Sequence, residues 1–157
     1  MAVPLLSGSD LEWWTPPASF SDRVLCIGVG TGFGGALWTS SGVVAMEPEH
    51  EPLQGFERLG RTVTVEEGVS GRALQRLSTQ TDEAEAWVGE AFELAISQLA
   101  AETGATEILL VGGVVEGQPE IFRERLPAGL AIARIAYPYP ALLGASVAAQ
   151  KAHAMTG

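Results

Sequence analysis

The sequence of 157 residues holds a single cysteine, Cys26. A disulfide within the chain needs two and a thiolate metal cluster needs more, so both are excluded, and the usage fits a reducing cytoplasm. Cys26 itself sits in an apolar run, where a free thiol behaves as a small hydrophobe. Basic residues are also few: nine Lys and Arg stand against nineteen Asp and Glu, for a formal charge of -10. They are scattered, whereas a nucleic-acid or anionic-membrane surface needs them clustered. Any phosphate held by this chain must therefore be held mainly by backbone N–H groups. No apolar stretch approaches the length of a bilayer span, and the start, MAVPLLSGSDLEWW, lacks the basic and long apolar regions of a secretion signal. There is no repeat, no low-complexity tract and no GxxxxGK[ST] phosphate loop. A soluble, cytoplasmic protein is expected, with neither membrane nor nucleic acid among its partners.

What is present is a 46% hydrophobic chain of the right length for one domain with a real core. Residues 1–22, with Pro4, Pro16, Pro17 and Gly8, read as an irregular lead-in carrying one possible helical turn around Asp10 to Trp14. Trp13 and Trp14 are expected to lie down on the domain and cover core, the alternative being a surface for another polypeptide. The domain proper is placed at 23–157. Arg23 to Gly28, Gly35 to Thr39 and Val43 to Met46 read as a three-stranded meander, with Ser40, Ser41 and Gly42 turning the second into the third. After a Pro-, Glu- and Gly-rich gap, a short helix is expected over Gly71 to Leu77 and a long one over Asp82 to Glu102. In the long helix Trp87, Ala91, Leu94, Ala95 and Leu99 recur at helical spacing; Thr81 or Asp82 would cap it and Gly104 would stop it. Thr106 to Val111 reads as a buried strand, Pro119 to Leu126 as a short helix, Ala131 to Ala136 as a strand and Ala141 to Ala154 as a closing helix. The order β-β-β-α-β-α-β-α, with helical crossovers on the later strands, predicts an α/β domain with one mixed sheet.

That order bears on the stretch VLCIGVGTGFGGALW, Val24 to Trp38, where Gly28, Gly30, Gly32, Gly34 and Gly35 punctuate an apolar run. The glycines satisfy GxGxxG, but a dinucleotide site requires a helix to start there, and ALWTSSGVVA reads as strand and turn. The spacing instead predicts a hairpin with a glycine tip, whose backbone amides can converge on one anion. On the loop alone, a flexible turn without a ligand is an equal reading.

Five short motifs follow one another in a familiar order: GVGTGFGGAL, then EPEH at Glu47 to His50, VEEGVSG at Val65 to Gly71, LLVGGVV at Leu109 to Val115, and YPALLGAS at Tyr139 to Ser146. In order and spacing they resemble the C-terminal domain of a bacterial glucokinase of the actin-like sugar-kinase superfamily, a ribonuclease H-like fold. The resemblance covers nearly the whole chain, from about Arg23 to His153. It implies that Gly30, Thr31 and Gly32 hold ATP phosphate through amides and the Thr31 hydroxyl, and that Gly112 and Gly113 leave room for the adenosine side of the nucleotide. It implies sugar contacts by Glu47, His50 and Glu66, and ATP with Mg²⁺ as co-substrate. Carboxylates and an imidazole can pair with vicinal hydroxyls, which suits a sugar; an exposed loop charge is the alternative for each. Gly144 would permit close packing near the nucleotide, or simply a tight helix contact.

Departures from the family pattern are specific. Pro48 and Glu49 replace two glycines, which stiffens the sugar loop and adds negative charge. The Cys-rich zinc motif of broader relatives is missing, so no structural metal is expected. The first-domain DxGGT loop and the aspartate base are absent, and the three aspartates present, Asp10, Asp22 and Asp82, lie in no such context. No residue of this chain is therefore assigned as catalytic. Two expectations result: a glucokinase-like half that phosphorylates glucose only with a separate N-terminal half, or a catalytically inactive module that binds ligands or pairs with itself as a homodimer.

Overall fold

A computed structural model describes residues 10–19 and 21–136. Its framework is a six-stranded mixed sheet in the order β1-β6-β5-β2-β3-β4. The strands are β1 (Leu11–Thr15), β2 (Arg23–Val29), β3 (Phe33–Thr39), β4 (Gly42–Met46), β5 (Glu107–Val111) and β6 (Ala131–Ile135). The antiparallel meander β2-β3-β4 forms one side, β5 and β6 add in parallel to β2, and β1 closes the far edge antiparallel to β6. Helices α1 (Val65–Gly68), α2 (Gly71–Ser78), α3 (Ala84–Thr103), α4 (Gly113–Gly117) and α5 (Glu120–Arg123) supply the crossovers, and Pro48–His50 makes a single 3-10 turn.

Alternation along β2 sorts side chains onto the two faces of the sheet. Leu25, Ile27 and Val29 enter the main core with Ile108 and Leu110 of β5, Ile132 of β6, and Val88, Phe92, Ile96 and Leu99 of α3. Val24 joins a smaller cluster on the other face with Leu109, Ala133 and Ile135. Each fully buried Leu, Ile or Phe stabilises the fold by about 1.5–3 kcal/mol before entropy is counted. The α3 side of the sheet therefore carries most of the hydrophobic stabilisation. Phe92 and Phe122 meet edge to face at 4.7 Å, which fixes α5 on α3.

The lead-in departs from expectation. Asp10 to Trp14 does not make a helical turn; Leu11–Thr15 is a strand, paired Leu11 with Ile135 and Trp13 with Ala133. Period-two alternation then disposes of both tryptophans. Trp13 packs on the smaller cluster and Trp14 on the main core, where Arg123 stacks over its ring at 5.6 Å. Covering core, the first of the two readings, is what they do. The long helix starts at Ala84 with Glu83 at its cap and no side-chain cap bond; the Thr81 hydroxyl accepts the Glu83 amide just ahead of it. It ends as expected at Gly104, left-handed at φ 71°. Pro119 to Leu126 forms only the one-turn α5, preceded by α4. Burial pushes the Cys26 thiol up to about 12, so it stays protonated. Among the described residues no helix is long and apolar enough to cross a membrane. The expected closing helix, with Gly144 and the YPALLGAS motif, lies outside the described residues.

Candidate functional site

The glycine stretch forms the tight hairpin that its composition predicts. Val29 pairs with Phe33, leaving Gly30, Thr31 and Gly32 as the tip. The Gly30 amide closes the tip on the Gly32 carbonyl at 3.0 Å, while the outward carbonyls of Gly30 and Thr31 accept the Gly71 and Arg72 amides at 2.7 and 3.2 Å. Two of the orphan donors that begin α2 are thus satisfied by the loop itself. Ser70, buried as the N-cap, accepts the Ala73 amide at 2.9 Å and satisfies a third. This docking needs a glycine at 71, since a Cβ there would stand 2.8 Å from the Gly30 oxygen. With the tip's carbonyls engaged on α2, the amides of Thr31 and Gly32 and the Thr31 hydroxyl have no protein partner among the described residues.

Beside the tip lies an open cleft of about 470 Å³, lined by Gly30, Thr31, Gly71, Arg72, Gln75, Gly113 and Val114. Three stretches of chain converge there: the hairpin tip, the first turns of α2, and the turn after β5. The two glycines of that last turn do different things. Gly112 takes φ 115° and comes so close to β2 that a Cβ would fall 2.3 Å from the Val29 oxygen, so it serves strand packing. Gly113, with open space around it, lines the cleft. Gly32 faces elsewhere: a Cβ there would meet Glu66 Oε1 at 2.8 Å. The hairpin tip therefore separates the cleft from a carboxylate.

That carboxylate rides on α1, which is held firmly for so short a helix. The Thr64 hydroxyl accepts the Glu67 amide at 3.3 Å and the Glu67 carboxylate accepts the Thr64 amide at 2.9 Å, a reciprocal capping box. Arg61 pairs with Glu67 at 3.0 Å. This bond, helped by the Thr64 amide, holds the Glu67 carboxyl below its ordinary range. The Pro48–His50 turn abuts α1 through the Val65 amide, which donates to the Glu51 carbonyl at 2.9 Å. Pro48 is buried against Gly35 and acts as a packing anchor.

The side chains of the turn are less fixed than its backbone. Glu47 caps it without a side-chain bond, and His50 is 76% exposed with Glu49 at 3.8 Å as its nearest acid. Neither bonds to Glu66. Glu49 Oε2 is buried with no hydrogen-bond partner among the described residues. From behind, Gln98 of α3 clamps the segment, its Nε2 donating to the Pro52 carbonyl at 3.1 Å and its Oε1 accepting the Gln54 amide at 3.1 Å.

Arg72, Gln75 and Gln98 are the residues that sequence reasoning missed. For the first two a signal existed: they stand three apart at the start of a helix that Ser70 caps, which puts them on one face. For Gln98 there was none, since the backbone groups that it clamps lie more than forty residues away.

No family model matches the sequence, and no curated protein matches it either. Solved structures do match. A glucokinase from an Antarctic psychrotroph superposes with a TM-score of 0.71 at 15% identity, over 92% of this chain and 63% of that one. An inorganic polyphosphate/ATP-glucomannokinase from an Arthrobacter strain gives 0.62 at 19% identity, over 83% and 47%. A ROK hexokinase from Thermus thermophilus gives 0.58 at 21%, over 83% and 60%. The chain thus spans less than two thirds of each of these structures. At such identities the likeness speaks to fold alone, and the fold, a mixed α/β domain with a six-stranded mixed sheet, is that of the glucokinases and ROK sugar kinases.

Proposed function

We propose that the chain is the nucleotide- and sugar-facing half of a glucokinase-like kinase, which transfers the γ-phosphate of ATP to the 6-hydroxyl of glucose once a separate N-terminal half completes the cleft. The single observation that supports this reading is one cleft lined by Gly30 and Thr31 of the tip, by Gly113 and by the start of α2, beside tip amides that have no partner among the described residues. On the far side of the same tip stands a carboxylate suited to a sugar hydroxyl. In-line transfer requires the attacking hydroxyl to meet the γ-phosphorus directly, so the phosphate chain would run past the tip toward the Glu66 side.

The chain's own residues bind and orient. Thr31 and the tip amides hold the phosphate chain; Glu66, with Glu47 and His50 from the adjoining turn, orients the sugar. Magnesium would come with the nucleotide phosphates; no group of three potential ligands occurs among the described residues, so protein ligands to it would come from the separate half. The base that takes the proton from the attacking hydroxyl likewise belongs to the separate half.

Calorimetry with ATP and with glucose, followed by assay of glucose 6-phosphate with and without a DxGGT-containing partner, tests this. Affinity that strengthens and turnover that appears only with the partner supports it. Thr31→Ala should weaken ATP binding about tenfold, the scale of a lost hydrogen bond to a charged group, and leave sugar affinity alone. Glu66→Gln should do the reverse. If both variants leave both affinities unchanged, the site is misplaced. A second reading, a self-pairing module without activity, is favoured by β4: it is an edge strand whose Val43 and Val44 are exposed. Dimerisation that a lysine at Val44 abolishes, with no nucleotide binding at all, would establish it instead.

A further inference from the structure

The cleft needs positive charge, and the molecule supplies little. Its formal charge of -10 sets a repulsive background for any polyphosphate, and free amides carry only partial charges. Eight of the nine basic residues are arginines, all of them described; the ninth, Lys151, lies outside the described residues.

Seven arginines are engaged. Arg23 donates to the Thr103 carbonyl and Arg76 to the Glu67 carbonyl. Arg58 pairs with Glu90, Arg61 with Glu67, Arg125 with Glu93, and both Arg123 and Arg134 with Glu12. Arg72 is the exception: its guanidinium has no hydrogen bond and no ion pair among the described residues. Nor can a side-chain carboxylate outside them serve, because residues 1–9, Phe20 and 137–157 contain neither Asp nor Glu. In a chain with nineteen acids, the one arginine whose guanidinium has no partner among the described residues lines the glycine-tip cleft. Its backbone is also placed by that tip, through the 3.2 Å bond from the Arg72 amide to the Thr31 carbonyl.

We propose that Arg72 binds the phosphate chain of the nucleotide, as the side-chain cation that complements the amides of the tip; this rests on the nucleotide reading above. A planar guanidinium with five donors and no competing acid is suited to bidentate contact with phosphate oxygens. One turn further along α2, Gln75 lines the same cleft without charge, so among the described residues the electrostatic role falls on Arg72.

The test is calorimetry on the full chain with ATP, ADP and adenosine, each at low and moderate salt, for wild type, Arg72→Gln and Arg72→Lys. Arg72→Gln should weaken ATP and ADP about tenfold, leave adenosine unchanged and flatten the salt dependence of ATP binding. Arg72→Lys should recover part of the affinity, since charge survives and the fork does not. If wild type binds ATP and Arg72→Gln binds it equally well, the assignment of Arg72 is overturned while the nucleotide reading stands. Equal losses for ATP and adenosine would mark a structural role and also overturn it. If wild type binds no nucleotide, the broader reading fails and this one with it. The residue is exposed and its side chain unpartnered, so melting of the variant should match wild type, and Arg72→Lys decides the matter should it not.

Discussion

The two sides of the hairpin tip are built by opposite means. On the cleft side the groups that matter are main chain: carbonyls of Gly30 and Thr31 lock onto α2, and the amides of Thr31 and Gly32 are left without a partner among the described residues. Their positions result from sheet register, a buried cap and close approaches that only glycine permits. On the carboxylate side the groups that matter are side chains on a 3-10 turn and a one-turn helix, and Glu47 and His50 are exposed without fixing bonds. On the function proposed above, a phosphate site made of backbone is finished when the domain folds, whereas a sugar site made of loose side chains waits for its ligand or for the surface that closes over it.

The largest effect should come from breaking the cleft side at its base. Gly112→Ala forces an L side chain into φ 115° and drives a Cβ to within 2.3 Å of the Val29 oxygen. Backbone strain and the clash together should cost about 3 kcal/mol or more, a large part of the stability of an ordinary domain. Denaturant unfolding should show a lower midpoint, and nucleotide affinity should fall with it. A variant as stable as wild type would mean that β2 and the turn after β5 are not in close contact.

Ser70→Ala is gentler and more selective. It removes the acceptor of the Ala73 amide from a buried position, costing about 1–2 kcal/mol. On a domain of this size each kcal/mol lowers Tm by about 2–4 °C. Because α2 carries the amides that hold the tip, ATP affinity should drop while glucose affinity stays the same. Equal losses on the two sides would show that tip, α1 and turn behave as one body and that the contrast between backbone site and side-chain site is false.

How much of this could be read from the residues obeys the same division. The meander, the buried strand before Gly112, the long helix and its stop at Gly104 were legible because each rests on local pattern: period two, period 3.6, a residue without Cβ. The tip was legible as a hairpin because the residues after the glycines are strand-like. The features that stayed hidden depend on distant partners. β1 exists because β6 offers an edge, and nothing within LEWWT distinguishes that from a helical turn. The family resemblance groups Gly32 with Gly30, whereas its bare Cα accommodates Glu66, a residue from another element. Gly112 and Gly113 look alike in sequence and differ only in what stands beside them.

The smallest effect concerns α1, and it sharpens the comparison by pH. Arg61 first, then the Thr64 amide, hold the Glu67 carboxyl below its ordinary range, so the folded state binds that proton less readily than the unfolded chain. By linkage the contribution is fully present above the carboxyl's unfolded value of 4.5 and fades as pH falls through the lower folded one. Glu67→Gln should therefore lower Tm slightly at neutral pH, and the gap from wild type should close in acid below about pH 4, where the wild-type carboxyl protonates too. Since the capping box sets the helix that carries Glu66, the same variant should weaken glucose at neutral pH and leave ATP untouched. A gap in Tm that persists unchanged into strong acid would mean that the Glu67 contacts stabilise α1 by shape and not by charge.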